Sequence, residues 1–341
     1  MIVRARAPLR LGLAGGGTDV SPYCDEFGGS VLNATIDLYA YAMLEPLAEA
    51  VVEFVAPDLD RTWTGKAAFP LETNGPLGLH AAVYNRIIRD FHGEKPLGVR
   101  LTTFADAPPG SGLGSSSTLI VAMIKAFQEL LNLPLGEYET AHLAFEIERI
   151  DMGLSGGKQD QYAATFGGFN FMEFYAGERV IVNPLRVKNW ILSELEASML
   201  LYFTGVSRLS STIIEQQRTR VQQRLEAQLA AMHSLKEEAA AMKEAVLKGD
   251  MAKIADCMRR SWESKKLTAE GITNAPINGV FETALAAGAK AGKVSGAGGG
   301  GFIMLIVDPP RRMEVRRALL AKGGQVFNCH FTKHGTQGWR V

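Results

Sequence analysis

The chain has 341 residues, 36 basic side chains against 36 acidic ones, and 47% hydrophobic residues. That length allows two domains with large cores, and the balanced charge leaves no net field to draw the chain to nucleic acid or an anionic membrane. Cys24, Cys257 and Cys329 are widely spaced in no metal-ligand pattern, and no run approaches the roughly 20 apolar residues of a membrane span. The first 13 residues are broken by Arg4, Arg6 and Arg10 and lack the apolar centre of a signal peptide, so a cytoplasmic location and small-molecule partners are expected.

In chain order, residues 2–6 and 10–13 read as short strands, followed by the glycine turn Ala14-Gly15-Gly16-Gly17-Thr18-Asp19. Further strands are expected at 31–36, 40–44, 51–55 and 99–104, where apolar and polar residues alternate, and helices at 80–91, 119–131 and 138–150, where the spacing is helical. A strand follows at 166–174, and a domain boundary is placed near 184–188. Beyond it come a strand at 197–203, a long polar-rich helical tract at 210–247, helices at 251–265 and 278–291, a strand at 302–307, a helix at 310–320 and a strand at 325–331. This order predicts an α+β chain of two domains, residues 1–187 and 188–341.

The stretch that organises the rest is Pro108-Pro109-Gly110-Ser111-Gly112-Leu113-Gly114-Ser115-Ser116-Ser117-Thr118, between the strand at 99–104 and the helix at 119–131. Alternating glycines let the backbone close around a ligand, and the hydroxyl residues are placed to cap the helix. Its free N–H groups and the positive end of its dipole favour an anion such as phosphate. No lysine lies between Pro108 and Lys125, which excludes a Walker A loop. The Gly-x-Gly-x-x-Gly match at Gly296–Gly301 runs into the strand-like 302–307 where a dinucleotide fingerprint needs a helix. A glycine/serine tether is the plain alternative, but the loop is short and flanked by well-patterned elements.

Three glycine-rich segments that could converge on one cleft resemble the motifs of the GHMP kinases, in the family's order: residues 7–19, 108–118 and 293–301. The resemblance implies ATP-dependent phosphorylation of a small-molecule hydroxyl. The fold it implies has an N-terminal domain like domain 2 of ribosomal protein S5 and a ferredoxin-like C-terminal domain. It assigns ATP to Pro109, Gly110, Ser111, Gly112, Leu113, Gly114, Ser115, Ser116 and Ser117, and Mg2+ to Ser116 and Glu148, which are hard oxygen ligands. Glu146 competes with Glu148 on the same expected helix, and a surface carboxylate is the other reading. Asp160, in Gly157-Lys158-Gln159-Asp160-Gln161, matches the aspartate that acts on the acceptor hydroxyl; a charge at a helix start is its alternative. Arg10 matches the family's basic residue beside it, with a strand-surface charge as alternative.

Where galactokinase-like members carry Gly-Glu-His-Thr-Asp, this chain has Gly15-Gly16-Gly17-Thr18-Asp19. Loss of two side chains makes room at the acceptor wall, and resembles the branch acting on fucose or on a heptose 7-phosphate. The heptose phosphate is the expected acceptor, phosphorylated at its anomeric hydroxyl. A fucose-type kinase and a catalytically silent sensor of the same fold are the alternatives. Gly16, Gly17, Thr18, Asp19, Gly298 and Gly299 are expected to contact the substrate, with Lys158 and Arg208 binding its distal phosphate. The expected partners are thus a sugar phosphate and ATP, with no nucleic acid and no membrane; a homodimer is compatible with this reading.

Overall fold

The computed structural model describes residues 1–205 and 210–341. Two sheets carry the chain. The first has eight strands: β1 (Val3–Ala14), β2 (Gly29–Pro46), β3 (Val51–Ala56), β4 (Arg61–Lys66), β5 (Val99–Ala105), β6 (Phe169–Phe174) and β7 (Val180–Pro184). Its eighth strand is the last of the chain. The second is an antiparallel sheet of β8 (Met199–Phe203), β9 (Ala289–Val294), β10 (Phe302–Val307) and β11 (Gln325–Asn328), in the order β11-β8-β10-β9. The final strand, β12 (Gln337–Arg340), lies beyond the expected division at residue 187 yet pairs antiparallel with β1.

β1 and β2 are long because each serves two neighbourhoods. β2 pairs with β1 along one edge, and along the other first with β6 and then with β5. A register shift between Pro8 and Arg10 divides β1, which explains why the sequence reads as two short strands there. Before the shift β1 alternates buried and exposed residues; after it every residue is buried. The helices Gly78–Phe91 and Ser115–Leu131 cover one face of the first sheet with Tyr84, Ile87, Ile120 and Ile124.

β10 is buried on both faces, and its side chains serve two cores. Ile303, Leu305 and Val307 face the helices Ala275–Ala286 and Arg312–Leu320, whose Ile277, Ala284, Val315 and Leu319 join them. Phe302, Met304 and Ile306 share a core with Leu9, Leu11 and Leu13 of β1 and with Met242 and Val246 of the helix Glu226–Lys248. Full burial of such a side chain contributes about 1.5–3 kcal/mol, so this shared core fixes one sheet against the other.

The glycine segment 110–114 is stitched across that junction. The Arg10 amide of β1 donates to Leu113 O at 3.2 Å and the Phe302 amide of β10 donates to Ser111 O at 2.9 Å. Gly112, at φ +82°, lies so close to the third glycine segment that a Cβ there would stand 2.4 Å from Ser295 O. Among the described residues no helix is long and apolar enough to cross a membrane. Gly112→Ala is therefore expected to destabilise the fold by about 1–3 kcal/mol in urea unfolding and to weaken nucleotide binding together with it.

Candidate active site

The three glycine segments meet, and Arg10 is where they do so. Its side chain is 4% exposed. Nε and Nη2 reach Asp160 Oδ1 at 2.7 and 2.6 Å, while Nη1 donates to Gly112 O at 2.7 Å and to Ser295 Oγ at 3.4 Å. Both contacts to Asp160 fall on one oxygen. The other, Oδ2, lies against Gly114, where a Cβ would stand 3.1 Å from it. Asp160, on the short helix Gln159–Phe166, thus stands at the mouth of the 110–117 turn.

The helix Ser115–Leu131 begins at the cleft, with Gly114 in a left-handed conformation before it. The expected capping by serine side chains is not made. Ser117 Oγ donates to Glu148 Oε2 at 2.6 Å instead, and Thr118 Oγ1 donates back to Gly114 O. The first-turn amides, which have no intrahelical acceptor, are left for a ligand. Glu148 is buried in a turn of π-helix (Ile147–Asp151) and also accepts from Gln161 Nε2 at 2.7 Å, whereas Glu146 pairs with Arg86. Glu148, Ser116 and Ser117 all line the cleft, so an oxygen donor set suited to Mg2+ stands beside the phosphate loop. Ser117, one position further along, makes the direct contact with Glu148, which separates the paired hydroxyl from the expected Ser116.

The other expected residues divide. Gly16, Gly17, Asp19, Gly110, Gly112, Gly114, Ser115 and Gly298 line the cleft. Ser111 and Leu113 are buried beneath it and Pro109 borders a second cavity. Thr18 is a turn residue, donating to Gly15 O and Ser30 O, and the Gly299 amide is spent on Ile272 O. Asp19 is fixed from the protein side, accepting from the Gly17 amide and from both the amide and Nε2 of Gln159, so it orders the wall more than it offers free lone pairs. Lys158 is turned away from the cleft, donating to Gly177 O with its ammonium over Phe145. Arg208 lies outside the described residues.

Sequence reasoning missed three cations here. Arg149 meets Glu148 at 3.4 Å and braces the 154–157 loop through its carbonyls. Lys293 donates to Gly12 O and Leu13 O at 3.0 and 3.3 Å, clasping β9 to β1. Lys265, on the helix Met251–Thr268, donates to Gly16 O at 2.9 Å. The signal was present in that helix: Ile254, Met258, Ser261 and Trp262 mark its buried stripe, and Lys265 falls on it. Burial, with the Arg10 charge and against the pull of Asp19, lowers Lys265 to about 8; burial with the nearby Lys265 and Arg10 charges lowers Lys293 to about 7.

A second cavity, of about 340 Å³, adjoins the cleft and shares Ser115 and Ser116 with it. Leu59, Leu77, Leu119 and Met152 give it apolar walls. His80 borders it with Nε2 engaged by Thr103 Oγ1 at 2.7 Å; burial lowers its pKa to about 4, so the ring is neutral near pH 7.

Fold and site together define a small-molecule kinase, and the sequence comparisons agree. The model of the GHMP kinases N-terminal domain matches residues 79–168 and that of the GHMP kinases C-terminal domain matches residues 242–325. The chain belongs to the GHMP kinase family and has its two-domain fold of mixed helices and sheets. It is similar to the D-glycero-alpha-D-manno-heptose 7-phosphate kinase of Campylobacter jejuni, 49% identical over 339 residues that cover 99% of each chain. A solved D-glycero-D-manno-heptose 1-phosphate kinase from Bacteroides thetaiotaomicron superposes with a TM-score of 0.85 at 49% identity over 99% of each chain. The bifunctional fucokinase/GDP-fucose pyrophosphorylase of Arabidopsis thaliana is more distant, 28% identical over 93% of this chain and 31% of its own length.

The lysine environment has a consequence for stability. Between about pH 7, the folded value of Lys293, and lysine's ordinary 10.5, the unfolded chain holds a proton that the folded chain has released, so stability contributed by this group rises with pH. The Tm of the wild type should therefore climb relative to that of Lys293→Met from pH 7 to pH 10. Parallel curves would show that Lys293 keeps the proton affinity of an exposed lysine.

Proposed function

We propose that this chain transfers the terminal phosphoryl group of ATP to the anomeric hydroxyl of D-glycero-D-manno-heptose 7-phosphate, giving the 1,7-bisphosphate. The observation that carries the reading is Asp160: one carboxylate oxygen is occupied by Arg10, and the other stands free of that ion pair beside Gly114, at the rim of the amide-lined turn. The 49% identity to a heptose 7-phosphate kinase over the whole chain supports the choice of acceptor.

Phosphoryl transfer is mostly positioning and electrostatics. The amides of Ser115, Ser116 and Ser117, with the dipole of their helix behind them, are placed to hold phosphate oxygens. Asp160 Oδ2 orients the sugar hydroxyl and receives its proton as the new O–P bond forms. Arg10 holds the carboxylate in place and brings a fixed positive charge to the point where phosphoryl charge spreads. Glu148, with the hydroxyls of Ser116 and Ser117, would hold Mg2+, which when bound offsets the charge of the phosphate oxygens. The apolar second cavity that opens beside Ser115 and Ser116 suits the adenine ring. Gly16 and Gly17 leave the acceptor wall bare on the opposite side.

Asp160→Asn should lower kcat by about 10²–10⁴-fold while nucleotide affinity, measured by calorimetry, changes only a few-fold. Affinity lost together with rate would make Asp160 a structural residue. Glu148→Gln should raise the Mg2+ concentration needed for half-maximal turnover by about tenfold or more; an unchanged magnesium titration would remove Glu148 from the metal site. Turnover itself is tested with ATP and magnesium on heptose 7-phosphate, heptose and fucose, with the phosphorylated position identified by NMR. Absence of any turnover across these acceptors would favour the silent sensor.

A further inference from the structure

A phosphorylated acceptor brings a second anion into the cleft, and Lys158, one of the two cations expected to meet it, does not line the cleft. Lys158 is spent on Gly177 O outside the cleft, and Arg208 lies outside the described residues. Lys265 stands in the right place. It arrives from the second half of the chain, is 5% exposed, and projects its ammonium to the edge of the bare Gly16–Gly17 wall. It can do so because residue 17 is glycine, at φ +104°: a Cβ there would stand 2.9 Å from Lys265 Nζ. The residue that leaves room for a longer sugar therefore also admits the charge.

The ammonium is incompletely satisfied. It has three protons to donate, and Gly16 O takes one. It forms no ion pair with a described carboxylate; Asp19 attracts it from further away, but the Asp19 oxygens are held by Gly17 and Gln159. Gln217, its neighbour at Gly17, donates its amide to Thr268 Oγ1. Lys293, the other buried lysine that lines the cleft, is engaged by the Gly12 and Leu13 carbonyls. A buried charge so placed is costly without a counter-ion, and a phosphate dianion would supply one. A run of contacts links this lysine to the reacting centre: Gln159, the chain neighbour of Asp160, binds Asp19, Asp19 binds the Gly17 amide, and Lys265 holds the adjoining Gly16 carbonyl.

Resting on the kinase reading above, we infer that Lys265 binds the distal phosphate of the acceptor sugar and selects phosphorylated over unphosphorylated heptose. The test is the ratio of kcat/KM for D-glycero-D-manno-heptose 7-phosphate to that for D-glycero-D-manno-heptose, in the wild type, Lys265→Met, Lys265→Arg and Gly17→Ala. Thermal melting and binding of a non-hydrolysable ATP analogue establish that each variant is folded. Lys265→Met should lower the ratio by about 10–100-fold, through KM for the phosphorylated sugar, and Lys265→Arg should restore most of it. Gly17→Ala, which displaces the ammonium without removing it, should also lower the ratio and serves if Lys265→Met does not fold. A merely structural lysine would depress both acceptors equally; a ratio within about twofold of wild type in the folded variants overturns the assignment. A wild type that uses neither heptose, or does not favour the phosphorylated one, instead overturns the choice of acceptor on which the assignment rests.

Discussion

The site depends on one buried guanidinium. Arg10 sits on the fully buried half of β1, and its nitrogens reach Asp160, Gly112 and Ser295, which belong to three segments far apart in the chain. A buried cation is tolerable only when its donors are satisfied, and removing one partner leaves the charge uncompensated. Each segment is therefore held in place by the needs of the others. The planar fork of an arginine suits this task, since it can bind a carboxylate and a backbone carbonyl in fixed relative directions. Ser295 Oγ adds a second bond to the same Gly112 O at 2.9 Å, so the node is a network and not a single pair.

The network holds because the elements carrying it cannot slide. Leu9, Leu11 and Leu13 of β1 pack in one core with Phe302, Met304 and Ile306 of β10. The second glycine segment is tied to both strands: Leu113 O accepts from the Arg10 amide of β1, and Ser111 O from the Phe302 amide of β10. Slippage of either strand would misplace a whole loop along with its side chains. Apolar packing between the sheets thus holds the loops of the cleft in fixed relative positions, which positioning chemistry requires.

Much of this was legible in the sequence, for identifiable reasons. Local signals gave the strand, turn and helix around residues 110–118, and the resemblance carried by motif order placed Asp160 beside them. What the sequence hid was set by distant partners. β9 reads as the tail of the preceding helix because its alanines fit either period; Gly288, at φ +111°, ends that helix and frees the strand. β12 carries no strong pattern because its place depends on the open edge of β1. Whether Ser116 or Ser117 turns to Glu148 depends on the phase of a helix start, which spacing cannot fix to one residue.

Lys265 is the sharper case. The spacing predicts its helix, but a lysine on the buried stripe has no role legible in the sequence, because the first glycine turn that lies against it is 249 positions earlier in the chain. Gly16 and Gly17 read in isolation as a loss of side chains from the acceptor wall. In the fold they are half of an exchange: the wall gives up its own polar groups, and the opposite half of the chain extends a cation into the space. Discrimination by such a site is asymmetric, because an acceptor without an anion leaves a buried charge unmatched whereas one with an anion resolves it. A bare stretch of backbone beside a buried ammonium with donors to spare thus suits an acceptor that carries an anion.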